Sequence, residues 1–255
     1  MPSSLTLPLA AIYAFLLVLS RISGAVVFVP IPGSSSSPIA ARAALSLALT
    51  VALFPVWPAV TVLPKPGLLA GWMISEAAFG IAVGLLAGFL SESFVIFGQM
   101  IGLQAGYSFA SVVDPNTQAD SSVFIVLAQT ISGLLFFAFG LHRQVLRILA
   151  ASLQTHPPGS LLTAKTVETI IRLGSTIFTT GLKLAFPVIA LLIMVDIALA
   201  LLGRINSQLQ LLTVAFPAKM LVALGMISAM AVLIPRVYQQ YADRLFGVIP
   251  GLTGH

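Results

Sequence analysis

The chain contains no cysteine. Disulfides, thiolate metal sites and cysteine nucleophiles are therefore excluded together, and the redox compartment leaves no trace. Charge is the second shortage: Asp, Glu, Lys and Arg make up 7% of the residues, against roughly 25% in an ordinary soluble domain. A water-soluble fold of this length needs a polar coat, and these residues cannot supply one. Histidine is limited to His142, His156 and His255. They form no HExxH or other two-histidine helical spacing, and no serine lies in a GxSxG elbow. The carboxylates lie far apart along the chain. Catalysis, a metal and a cofactor are not expected.

What is present is apolar length. Hydrophobic residues make up 58% of the chain, and residues 1–20, 43–64, 93–113 and 121–141 contain no Asp, Glu, Lys or Arg. A helix needs about 20 apolar residues to cross a hydrocarbon core of roughly 30 Å. The runs 22–41, 66–91, 184–202 and 205–235 are interrupted only by proline or by one or two charges. The expected fold class is all-α: a polytopic helical membrane protein with about six nominal spans in a single domain, 1–255. A first part, 1–183, is followed by a C-terminal helical hairpin and tail, 184–255. A secretion signal starts with a basic region, whereas the first basic residue here is Arg21, so no cleavage is expected.

The charges are few but sorted. Arg143, Arg147, Lys165, Arg172 and Lys183 face only Glu168 between residues 142 and 183, while 107–122 holds Asp114 and Asp120 and no basic residue. The positive-inside rule places the first segment in the cytoplasm and the second outside, with 123–141 as a single crossing between them. Arg236 and Arg244 put the C-terminal tail on the cytoplasmic side. The basic residues serve topology and contact with membrane lipid. No clustered, aromatic-interleaved patch points to nucleic acid.

Small residues are also sorted. Residues 67–104 contain no proline, which predicts one long helix. Within it Gly80, Gly84 and Gly88 form one ladder, and Gly98, Gly102 and Gly106 form another, offset by eighteen residues. At 3.6 residues per turn that offset is five whole turns, so the glycines share a face. Close backbone contact through small residues is a main source of helix association in lipid. Packing within the chain and contact with another subunit both remain open.

Helix breakers concentrate at Pro30, Pro32 and Pro38 around GSSSS, at Pro55, Pro58, Pro64 and Pro66, and at Pro157, Pro158 and Gly159. Such segments cannot face lipid in the bilayer core, so they lie at an interface, against protein or along a wet cavity. Ser160 is placed as the N-cap of a helix restarting over 160–173. Arg21, Glu76, Glu92, Asp196 and Lys219 interrupt apolar segments, at roughly 2.5 to 3.5 kcal/mol each at a helix centre. Asp196 pairing with Lys219 or Arg21, a proton-coupling role and a subunit contact are the alternatives.

Three stretches then carry a family pattern: GQMIGLQAGYSFASVVDPNTQ, HPPG and AFPVIALLIMVDIALALLGRINSQLQLLTVAFPAK. In them G-x-x-x-G-x-x-F-A-x-x-x-D-P is followed by L-x-R-x-x-x-Q-L and F-P-x-K. The chain resembles the FliR family of flagellar biosynthesis proteins, whose injectisome relatives are the SctT proteins, from Arg21 to about Lys219. The resemblance implies a subunit of the type III protein export gate, built of bent, partly broken helical hairpins. Its implied partners are FliP-like and FliQ-like gate subunits, an FlhB-like switch protein and exported flagellar proteins in transit. Gly106, Tyr107, Phe109, Asp114, Pro115, Asn116 and Gln118 would contribute to the plug of the pore, and Arg204, Gln208, Phe216, Pro217 and Lys219 match the later helical pair. Ser207 stands where many members have Pro, and Asp196 where flagellar members often have Asn. The competing class is an ion-coupled small-molecule transporter using Asp196, Glu76 or Glu92 near the midplane.

Overall fold

The structure, a computed structural model, describes residues 9–30, 38–60, 64–106, 123–160, 162–205 and 211–247. These are helical, with no strand among the described residues. The helices are α1 (Leu9–Phe28), α2 (Ile39–Ala52), α3 (Pro66–Gln104), α4 (Val123–Ala138), α5 (Leu141–Thr155), α6 (Ala164–Ile205), α7 (Leu211–Ala229) and α8 (Leu233–Phe246). Short 3-10 turns, Phe54–Val56 and Met230–Val232, follow α2 and precede α8.

α3 is the single 39-residue helix that the proline-free interval predicts. At 1.5 Å per residue it is about 58 Å long, well beyond a bilayer core of roughly 30 Å. α6 runs for 42 residues straight through Pro187. That proline lacks the amide donor of one ladder bond, a loss a membrane helix tolerates when its neighbours compensate. The apolar passes expected from hydropathy resolve unequally. α1, α3, α6 and the stretch Ala215–Phe246 are each long and apolar enough to cross a membrane, and α4 with α5 makes a fifth if counted as one bent pair. α2 has 14 residues, about 21 Å, and is too short to cross alone.

The crossing expected over 123–141 ends in a bend rather than in a loop. α4 and α5 meet at 62°, and the hinge is Gly140, whose φ of +68° is in the left-handed region that glycine enters without strain. α5 is amphipathic in the ordinary sense: Leu141, Val145, Leu149, Ser152 and Leu153 are buried, and Arg143 and Arg147 are exposed. The start of α6 also differs from expectation. Ser160 is not its cap; the helix begins at Ala164, and the Thr163 hydroxyl accepts the amide of Thr166 at 3.2 Å. Thr163 sits three residues before Thr166, the spacing at which an N-cap oxygen meets an orphan amide. The Ser160 carbonyl instead accepts the hydroxyl of Ser75.

The chain divides into two compact units. One comprises Met1–Phe89, Phe136–Gly174 and Arg244–His255; the other comprises Leu90–Leu135 and Ser175–Asp243. α3 therefore contributes its first part to one unit and its last part to the other.

In the first unit α1 and α3 run in parallel with their backbones in contact. A Cβ built on Gly80 would lie 1.9 Å from the Arg21 carbonyl oxygen, on Gly84 2.4 Å from that of Ala25, and on Gly88 3.0 Å from that of Phe28. α2 folds back along α1, with the Arg42 guanidinium donating to the Val27 carbonyl at 2.8 Å and the Trp57 ring 5.7 Å from that of Phe15. Two of the expected helix breaks lie along an open cleft of about 400 Å³, lined by Pro55, Trp57, Pro58, Gln154, Pro157 and Pro158 among others. In the second unit α3 and α6 also run in parallel, from Gly181 beside Ser93 to Asp196 beside Gln104. α7 and α8 return alongside, through Lys219 on Asp196 and the Tyr241 hydroxyl 3.0 Å from that of Thr176.

This packing predicts a graded glycine series. Gly80→Ala and Gly84→Ala force α1 off α3 and lower stability by about 1–3 kcal/mol, whereas Gly71→Ala, with nothing within 4 Å of the added methyl, is neutral or better. Unfolding of the detergent-solubilised protein measures both. Equal stability of Gly80→Ala and Gly71→Ala would refute the contact.

Candidate functional site

Five charged residues interrupt the apolar segments, and the structure sorts four of them into two pairs. Arg21 of α1 is 2% exposed and Glu76 of α3 is 3% exposed. The Arg21 Nε donates to Glu76 Oε2. A second guanidinium nitrogen donates to the Ser152 hydroxyl on α5 at 2.9 Å, and that hydroxyl in turn donates to the Leu149 carbonyl at 2.7 Å. The guanidinium carbon sits 4.8 Å from the centroid of the Phe79 ring, a cation–π contact one helical turn past Glu76. Arginine suits this position because its fork serves several acceptors at once while its flat face rests on a ring. The site thus joins α1, α3 and α5 within the first unit. Close by, His156 packs its ring 5.1 Å from Phe79, and Gly159 lies against the Trp72 ring, so HPPG closes over the same helices.

The second pair is Lys219 of α7 with Asp196 of α6, in the second unit. Lys219 Nζ meets Asp196 Oδ1, and Gln104, the last residue of α3, donates its amide to Asp196 Oδ2 at 3.0 Å. The side chains of Lys219 and Asp196 are 15% and 40% exposed, so this pair sits at a surface of the unit. Of the two cations weighed for Asp196, Lys219 occupies the position and Arg21 is engaged by Glu76. Two of the three carboxylates weighed as midplane proton sites are thus countered by a cation, Glu76 by Arg21 and Asp196 by Lys219, and Asp196 takes a neutral donor as well. Glu92 is exposed.

The glycine ladders have separate roles. Gly80, Gly84 and Gly88 seat α1, within this chain. Gly98 seats α4: a Cβ there would lie 2.6 Å from the Phe124 carbonyl oxygen. Gly102 is buried. Gly106 is not part of the stripe, because α3 stops at Gln104. Its φ is +83° and its amide bonds back to the Leu103 carbonyl at 3.1 Å, the left-handed stop of a helix C-terminus. A Cβ at Gly106 would come within 2.5 Å of the Phe216 ring on α7. Arg204 ends the last turn of α6, and Pro217 lies inside α7. Tyr107, Phe109, Asp114, Pro115, Asn116, Gln118 and Gln208 lie outside the described residues. Sequence reasoning missed Ser152, Phe79 and Gln104, whose residue types carry no signal of a polar partner so distant in the chain.

Residues 12–245 match the family model described as bacterial export proteins, family 1. The chain belongs to this family, the FliR family. It is 31% identical over 239 residues to the flagellar biosynthetic protein FliR of Escherichia coli (strain K12), covering 93% of this chain and 90% of that protein. FliR of Caulobacter vibrioides is 30% identical over 227 residues, 85% of this chain and 88% of its own length. FliR of Bacillus subtilis (strain 168) is 29% identical over 221 residues, 84% of each. The matched residues of this FliR-family chain include both polar clusters and the helices that carry them.

Breaking the first cluster on one side should be costly. Arg21→Met or Glu76→Met leaves a buried charge alone and costs about 3–5 kcal/mol, while the double substitution to methionine recovers most of that loss. Unfolding of the purified protein in detergent measures the cycle, and a double variant no more stable than the worse single one would show that the pair is not the unit of stability.

Proposed function

We propose that this chain is a structural, non-enzymatic subunit of the type III protein export gate of the bacterial flagellar basal body. In this reading it sits in the bacterial inner membrane and forms part of a closed channel with FliP-like and FliQ-like subunits. It contacts an FlhB-like switch protein, and unfolded flagellar subunits pass through the assembled gate. The family match over residues 12–245 is the observation that carries the reading, and the flagellar names of the relatives favour the flagellum over an injectisome.

The architecture supports an assembled rather than a solitary role. α3 and α6 exceed a bilayer core in length by about twofold. Large apolar side chains remain exposed along them and along α2, among them Ile39, Val51, Ile74, Phe186 and Met194. Exposed apolar surface on this scale calls for lipid or neighbouring subunits. The stretch Tyr107–Ser122 follows the stop at Gly106 and is assigned to the pore plug, with its acidic residues on the non-cytoplasmic side. The basic segment 142–183 lies in the cytoplasm.

Deletion of the gene should abolish filament assembly and swimming, and the tagged protein should co-purify with two small hydrophobic partners. Normal swimming in the deletion strain, with secretion intact, would sink the gate reading. Removing residues 110–120 should make the inner membrane leaky to small solutes; unchanged permeability would remove the plug from the proposal.

A further inference from the structure

Helix α3 ends in two contacts that no helix terminus requires. A helix end needs its last carbonyls satisfied, and the left-handed Gly106 serves one of them by returning its amide to Leu103. Beyond this, Gln104 donates to Asp196 Oδ2 while Lys219 holds Oδ1, so one carboxylate bridges three helices, α3, α6 and α7. Gly106 meanwhile packs against the ring of Phe216, three residues before Lys219 on α7. A polar contact at the last residue of α3 and an apolar contact two residues beyond it therefore bind this end to the α6–α7 pair.

We propose that Gln104 is a positioning residue for the export gate, and that with Asp196, Lys219 and Phe216 it clamps the end of α3 to the α6–α7 hairpin. This inference rests on the gate reading. The chemistry of the site gives the amide its role. Asp196 takes Lys219 on one oxygen and the Gln104 amide on the other, and the amide donates without adding a second positive charge beside Lys219. Phe216 and Lys219 lie almost one helical turn apart on α7, so a shift of α7 moves both contacts together. The clamp acts as one unit: displacing α7 frees the end of α3, and a free α3 end unseats Asp196.

Three variants test this in a motile host, each with immunoblotting of its membrane level. Gln104→Leu removes the donor. Gln104→Glu sets a second carboxylate against Asp196. Gln104→Glu with Asp196→Asn exchanges the amide and the carboxylate across the same hydrogen bond, preserving total charge and leaving Lys219 an acid to pair with. Both single variants should raise passage of a small uncharged solute across the inner membrane by about tenfold, the factor expected from one lost charge-assisted hydrogen bond, and should lower export of flagellar subunits. The double variant should return both readouts to within about twofold of wild type.

Single variants indistinguishable from wild type, in a background where whole-gene deletion abolishes export, would overturn the clamp and leave the gate reading standing. A double variant no better than Gln104→Glu, at equal membrane level, would also overturn it. Intact export in the deletion strain would instead bring down the gate reading itself. If a single variant fails to accumulate in the membrane, the double variant alone decides, because its recovery or failure is read at the same position.

Discussion

Helices α1 and α3 approach until backbone meets backbone, and the first unit is arranged around that contact. In lipid no hydrophobic force draws two apolar helices together, so attraction comes from dispersion and weak Cα–H···O contacts, both of which need short range. Gly80 and Gly84 supply that range by presenting no Cβ where the Arg21 and Ala25 carbonyls arrive. Arg21 then serves twice. Its carbonyl oxygen packs on Gly80, while its side chain reaches Glu76, one turn earlier on the same helix. The close approach excludes solvent from the ion pair, and the pair in turn sets the register of the approach.

The second unit uses related means with a different balance. Gly98 seats α4, and Gly181 brings α6 within 2.7 Å of the Ser93 carbonyl oxygen, measured to the position a Cβ would take. Its polar cluster, however, lies at a surface of the unit, and the carboxylate takes a lysine and a neutral amide rather than an arginine. A buried pair needs every donor matched because nothing else can satisfy it. A half-exposed pair keeps some freedom, since solvent or a neighbouring subunit can complete it. The Arg21 site is thus closed within its unit, whereas the Asp196 site stays open to its surroundings.

Several features were legible before any coordinates. Pro66 marked the start of α3, and the absence of another proline before Pro115 left its hydrogen-bond ladder unbroken. The glycine spacing identified the face on which α3 packs. Arg21, Glu76, Asp196 and Lys219 stood out because charges are so expensive among aliphatic residues that each must have a partner. The family pattern singled out Phe216, Pro217 and Lys219 on α7. What remained hidden were partners of ordinary residue type. Ser152 and Phe79 are unremarkable in helices, and Gln104 is one glutamine among several. Ser160 looked like a cap by position, but the turn after Pro157 and Pro158 delays the helix by three residues and hands the role to Thr163.

The sequence by itself determined the class of solvent and the class of structure. With so little charge the chain has no polar coat for water, and apolar runs of this length fold in lipid only as helices that satisfy their own backbone groups. It also determined which helix faces are thin enough for close contact and which charges demand partners. Only the tertiary structure decided who those partners are. Whether Arg21 meets Glu76 or Asp196, whether one glycine ladder faces one neighbour or two, and whether Gly106 continues a stripe or ends a helix all depend on which helices lie side by side. That choice is made by complementarity between surfaces far apart in the chain, and periodicity within a single helix carries no record of it.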